Sequence, residues 1–194
     1  MDGQRRRSLG HGEQVHATTE PSRSRLGRFI REYADEYGGA TLACLVVADR
    51  HHHFAAEILP RLEAGVTVVC DRYVASTLVV QRLDGVSQQY LLDLNAGICM
   101  PDLAVVFTVD PRAIAARIDQ RGATHRFNRD PSFPARETAL YTEAVSILGG
   151  LDVPVLSVDT GTASPQDVAV SIAGRIGGTA KVPQQLPTQG ATPQ

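Results

Sequence analysis

Two apolar runs, residues 66–70 and 103–109, constrain the fold more than any other feature of this chain. They read Val-Thr-Val-Val-Cys and Leu-Ala-Val-Val-Phe-Thr-Val. Both are short, rich in valine and lack a polar alternate face, the pattern of strands covered on both sides by helices. Residues 14–18 and 155–158 give two further candidate strands. Between the strands lie longer amphipathic stretches, predicting helices at 24–37, 42–64, 75–83, 87–99, 111–121, 134–148 and 165–174. Pro111, Pro134 and Pro165 each suit a first helical turn. Strand–helix alternation of this kind predicts an α/β fold, a three-layer parallel sheet with helices on both faces. At 194 residues and 43% hydrophobic, one domain with an ordinary core is expected, over residues 1–176. Residues 177–194 are rich in Gly, Pro, Thr and Gln without periodicity, and a disordered tail is expected there.

Composition then removes several classes of function. A net charge of −2 argues against a general nucleic-acid binder. No apolar run reaches 18 residues, so neither a membrane span nor a membrane partner is expected. Cys44, Cys70 and Cys99 are too few and too scattered for a disulfide framework, which points to a cytoplasmic setting. Of 19 basic residues only Lys181 is lysine. Chemistry that needs a lysine inside the fold is therefore excluded for these residues. His51, His52 and His53 are adjacent, so on a helix they point in different directions. They are read as a solvated surface, with no metal assigned.

In parallel α/β folds ligands sit beyond the carboxyl ends of the strands. After 66–70 come Asp71-Arg72-Tyr73 and then Ser76-Thr77. A guanidinium fork matches phosphate, and a carboxylate can hold Mg²⁺; the alternative is an Asp71–Arg72 ion pair with Asp71 as a helix N-cap. After 14–18 come Thr19-Glu20-Pro21-Ser22 and a basic stretch. Residues 1–31 hold seven arginines against three acids, which suits an anionic ligand. Arg23, Arg25 and Arg28 are read as a solvated face. Arg50, amid Leu45, Val46, Val47 and Ala48, needs an acid or a ligand as partner. Residues 121–129 form an arginine-rich stretch of the kind that closes over phosphates, or else a basic surface loop.

Asp71-Arg72-Tyr73-Val74-Ala75-Ser76-Thr77-Leu78 with Gln81, Thr19-Glu20-Pro21 continuing to Arg31, Ala48-Asp49-Arg50, Pro101-Asp102-Leu103 with Val109-Asp110-Pro111, and Arg126-Phe127 with Phe133, Arg136 and Tyr141 follow one another at compatible spacing. In that order they resemble the thymidylate kinase family of P-loop nucleoside-monophosphate kinases. The resemblance implies ATP and Mg²⁺, and a homodimer. It implies that Arg72 contacts the acceptor phosphate and that Asp71 organises the Mg²⁺–phosphate centre. Arg50 would reach the base, Ser76, Thr77 and Gln81 would line its pocket, and Glu20 and Arg31 would sit near the sugar and phosphate. Arg121 and Arg126 would be lid arginines facing ATP.

The chain departs from the family in one large way. The family opens with a strand and a G-x-x-x-x-G-K-[ST] loop, and no Gly-Lys pair occurs here. Gly3–Gly12 resembles only the end of the helix that follows that loop. The family's central first strand, between 66–70 and 103–109, is therefore expected to be absent. The leading expectation is a chain that starts downstream of an unread P-loop, whose full-length form phosphorylates dTMP to dTDP. The alternatives are a catalytically silent nucleotide-binding or regulatory paralogue, or a kinase for another deoxynucleotide. Val46 and Val80, where the family often has Phe and Tyr, motivate the last.

Overall fold

The computed structural model describes residues 7–9, 13–121, 130–161 and 163–176. The predicted tail lies outside them. The elements are β1 (Arg7–Leu9), β2 (Glu13–Thr19), α1 (Arg25–Tyr33), α2 (Gly39–His53), a π-helical turn (Phe54–Ile58), α3 (Leu59–Glu63), β3 (Thr67–Asp71), α4 (Val74–Leu83), α5 (Gln88–Leu94), β4 (Ala104–Thr108), α6 (Pro111–Arg121), α7 (Phe133–Gly150), β5 (Val155–Asp159) and α8 (Pro165–Ile176).

The predicted parallel pairing is present. β2 runs parallel to β3, from Val15 opposite Thr67 to Thr19 opposite Asp71. β4 runs parallel to β5, from Ala104 opposite Val155 to Thr108 opposite Asp159. Among the described residues the two pairs form separate sheets, and no strand lies between β3 and β4.

Three expectations are corrected. A strand does precede β2: Arg7–Leu9 pairs antiparallel with Glu13–Val15, where the sequence resembles the end of a helix. Antiparallel pairing satisfies the backbone groups of Arg7–Leu9 between strands, as a helical turn would within one segment. β3 and β4 are not covered on both faces, since Val69 is 43% and Phe107 56% exposed. The apolar runs are therefore only partly buried by the described elements. The long predicted helix 42–64 is real but not uniform. Pro60 has no N–H to give the carbonyl four residues back, and its ring crowds that position. The wider turn at Phe54–Ile58 lies just ahead of it.

The core is mostly helical. Ala43 of α2, Val74, Leu78 and Val79 of α4, Leu91 of α5, and Ala144 and Leu148 of α7 are buried together with Ile98 and Val153. This packing fixes α2 and α4 side by side, with their polar residues turned toward the carboxyl ends of β2 and β3.

Candidate active site

The carboxyl ends of β2 and β3 are tied together, the Glu20 N–H donating to the Asp71 carbonyl at 2.9 Å. Glu20 then leads through a cis bond into Pro21 and a short loop to α1. Ser24 caps α1, its hydroxyl accepting from the Gly27 N–H at 3.0 Å. The loop is held from beneath by Asp49, which is fully buried in α2. Its carboxylate accepts from the Ser22 N–H at 2.5 Å, the Ser22 hydroxyl at 2.6 Å and the Ser24 hydroxyl at 3.0 Å. The loop passes so close to α1 that a Cβ on Gly27 would lie 1.9 Å from the Ser22 carbonyl oxygen. Only glycine fits there.

Glu20, Arg50 and Thr77 come together in one buried network. Arg50 is 1% exposed. Its Nε donates to Glu20 Oε2 at 2.7 Å, Nη1 to Asn95 Oδ1 at 2.5 Å and Nη2 to Thr77 Oγ1 at 2.8 Å. Its guanidinium also lies 4.9 Å from the centroid of the Tyr73 ring. The Asn95 amide is oriented by donating to the Leu91 carbonyl at 2.7 Å. Of the partners left open in the sequence for Arg50, the acid is the one present. Gln81 is buried one helical turn beyond Thr77, on the same side of α4.

Asp71 ends β3 and Arg72 follows it, both exposed. Arg72 has φ +68°, a left-handed conformation that costs a non-glycine residue about 1–3 kcal/mol and concentrates at functional sites. The N-cap of α4 is Tyr73, not Asp71. Arg72 lies near enough to α7 to act on it. Burial holds the Glu137 carboxyl above the usual carboxylate range, and the Arg72 charge offsets only part of that rise. Burial likewise raises Tyr141, against a hydrogen bond with Ser76 and the Arg72 charge. Arg31 folds back on the loop, Nη1 donating to the Pro21 carbonyl and Nη2 to the Ser22 carbonyl at 2.7 Å. The exposed Arg28 donates to the Arg23 carbonyl at 2.8 Å. The Arg121 side chain and Arg126 lie outside the described residues.

His53 corrects the reading of the histidine run as solvated. It is 1% exposed, with Nε2 2.8 Å from Thr18 Oγ1 and Nδ1 3.4 Å from Glu20 Oε1. Asp49, Arg50 and His53 are spaced i, i+1 and i+4, the spacing of one helix face. That spacing was the available signal for Asp49 and His53. Asn95, at the C-cap of α5, carried none.

Asp71 offers Mg²⁺ the hard carboxylate oxygen that ion prefers, at an exposed strand end beside an arginine. Together these groups can grip an anionic, hydrogen-bonding ligand between the ends of β2, β3 and α4.

Residues 5–146 match the family described as Thymidylate kinase. The chain is 33% identical over 162 residues to a probable thymidylate kinase of Pyrobaculum aerophilum, covering 82% of this chain and 81% of that protein. It is 32% identical over 181 residues to a thymidylate kinase of Nitratidesulfovibrio vulgaris, covering 84% and 79%. The solved structure of thymidylate kinase from Candida albicans has a TM-score of 0.68 at 20% identity, over 84% of this chain and 80% of that one. No described helix is long and apolar enough to cross a membrane.

Proposed function

Since the chain belongs to the thymidylate kinase family, we propose that the pocket at the ends of β2, β3 and α4 binds a deoxynucleoside monophosphate, dTMP first, as phosphoryl acceptor. The observation that carries this reading is the buried Arg50 network, which holds Glu20 and Thr77 together at the carboxyl ends of β2 and β3, with Arg72 exposed beside them. Arg72 supplies a bidentate fork for the acceptor phosphate. Glu20 and Arg31 border the sugar and phosphate, and Ser76, Thr77 and Gln81 line the base pocket. Arg50 holds Glu20, Thr77 and Asn95 in place and, with a second N–H on each Nη, reaches the base in this reading. Arg121 and Arg126 face ATP in this reading.

ATP-dependent formation of dTDP is proposed for a form that also carries a phosphate-cradling Gly-Lys loop. Mg²⁺, when bound with ATP, neutralises phosphate charge as the γ-phosphoryl group moves, and Asp71 would hold it. Positioning and charge are what such a transfer asks of the protein. Calorimetric titration of the 194-residue chain tests acceptor binding. Saturable dTMP binding that Arg72→Ala weakens supports the reading, and a folded chain that ignores dTMP rejects it. A coupled ATP-hydrolysis assay on a form extended by a P-loop unit tests the transfer.

A second reading is favoured by one observation, the lack of any Gly-Lys pair in 194 residues. Under it the chain binds the nucleotide as a regulator and transfers nothing. dTMP binding without turnover in the extended form would select it. Val46 and Val80 motivate titrating other deoxynucleotides in the same experiment.

A further inference from the structure

Beneath the acceptor pocket three electron-rich atoms converge. A carboxylate oxygen of Glu20, a ring nitrogen of His53 and Cys70 Sγ all lie within 4.8 Å of one another, the first two residues buried and Cys70 partly buried. His53 bridges two oxygens, with Nε2 2.8 Å from Thr18 Oγ1 and Nδ1 3.4 Å from Glu20 Oε1, so one ring nitrogen is presented to the carboxylate. The Cys70 thiol points its proton away, donating to the Arg72 carbonyl at 3.1 Å. Carboxylate, imidazole and thiol, three metal-donor types, thus meet at one largely buried spot.

We propose that Glu20, His53 and Cys70 form a binding site for a divalent transition-metal ion of borderline softness, Zn²⁺ being the natural occupant. Imidazole, thiolate and carboxylate are the donor types Zn²⁺ takes, and three protein ligands leave a fourth position open. With Nδ1 on the ion, His53 Nε2–H would donate to Thr18 Oγ1, the support such sites need. Arg50 stays on Glu20 Oε2, and Oε1, which faces His53 Nδ1, is the oxygen that would turn to the ion. On binding, the Cys70 S–H bond breaks, its proton leaves to solvent and an S–metal bond forms. The thiolate and Glu20 turn two negative charges toward the ion, Glu20 sharing its own with Arg50. In the metal-free chain burial and the Glu20 charge push the Cys70 thiol up to about 12, so the ion itself must draw the proton off. Bound there, the ion would clasp β2, β3 and the end of α2 together. The proposal stands whether or not the pocket above accepts dTMP.

The test is titration of the reduced 194-residue chain with Co²⁺, followed by displacement with Zn²⁺. The expected result is one Co²⁺ per chain with a near-ultraviolet thiolate-to-cobalt absorption, abolished by Zn²⁺. Cys70→Ser should lose the band, and His53→Gln should weaken binding about tenfold or more. The double variant Cys44→Ser/Cys99→Ser, altered away from the cluster, should keep both band and stoichiometry. No band in the wild-type chain overturns the proposal. So does a band that survives Cys70→Ser or vanishes in the double variant.

Discussion

Asp49 holds Ser22 twice, through its backbone N–H at 2.5 Å and its hydroxyl at 2.6 Å, and so fixes the loop that leads away from Glu20. A carboxylate fully buried in α2 thus shapes a segment 27 residues earlier in the chain. Asp49→Ala would strand two buried donors and release Ser24 as well. The expected loss is about 3 kcal/mol of stability, read from urea unfolding, with dTMP affinity falling alongside. An unchanged midpoint would show that the loop is held by other contacts.

Glu20 and Arg50 are a buried ion pair at 2.7 Å, with 3% and 1% exposure. Glu20→Ala leaves the guanidinium buried without its carboxylate and should cost about 3–5 kcal/mol. Replacing both partners, as Glu20→Leu/Arg50→Met, should cost clearly less than the single change. Chemical denaturation of the three proteins checks this, and an equal or larger cost for the double variant contradicts it.

Gly27→Ala drives a methyl group against the Ser22 carbonyl at 1.9 Å. That atom is backbone and cannot rotate aside, so the loop or α1 must shift. A loss of about 2 kcal/mol is expected, with the thermal midpoint as readout. Gly174→Ala, with open space around it, serves as the control.

Glu57 gives the chain an acid-sensitive contact. Burial alone would raise its carboxyl, but hydrogen bonds from His16 and Thr18 outweigh it and leave the group below 4.5. A folded-state value below the unfolded one contributes stability above the unfolded value, and that contribution is lost as pH falls through the folded value. Thermal stability should therefore decline below about pH 4.5 more steeply in the wild type than in Glu57→Gln. Parallel melting curves from pH 6 to 3 would refute this.

Much of the fold was legible because it rests on local pattern. The valine runs at 66–70 and 103–109 marked β3 and β4, and proline marked the starts of α6, α7 and α8. Partnership across the chain was harder to read. Arg50 announced its need for an acid by its apolar neighbours, yet nothing near it pointed to Glu20, 30 residues away, or to Asn95, 45 residues away. His53 was masked by two exposed histidines beside it, although its spacing from Asp49 placed it on the inner face. The extent of burial was misread on β3 and β4 for a different reason. Strand residues reveal that they suit a covered face, but whether a covering element is there depends on the rest of the fold.

The π-helical turn at Phe54–Ile58 also sets what changes of length the chain can absorb. A regular helix advances about 100° per residue, so removing one residue rotates everything beyond it. The widened turn holds one residue more than an α-turn would, upstream of which sit Asp49, Arg50 and His53, and within which Ile58 is buried. A deletion inside 54–58 could tighten that turn to a regular one and leave the upstream face aimed as it is. The same deletion between Ala43 and Asp49 would swing the whole polar face away from Glu20. In the history of such a sequence, single-residue indels should therefore collect at the turn and be purged from the helix before it.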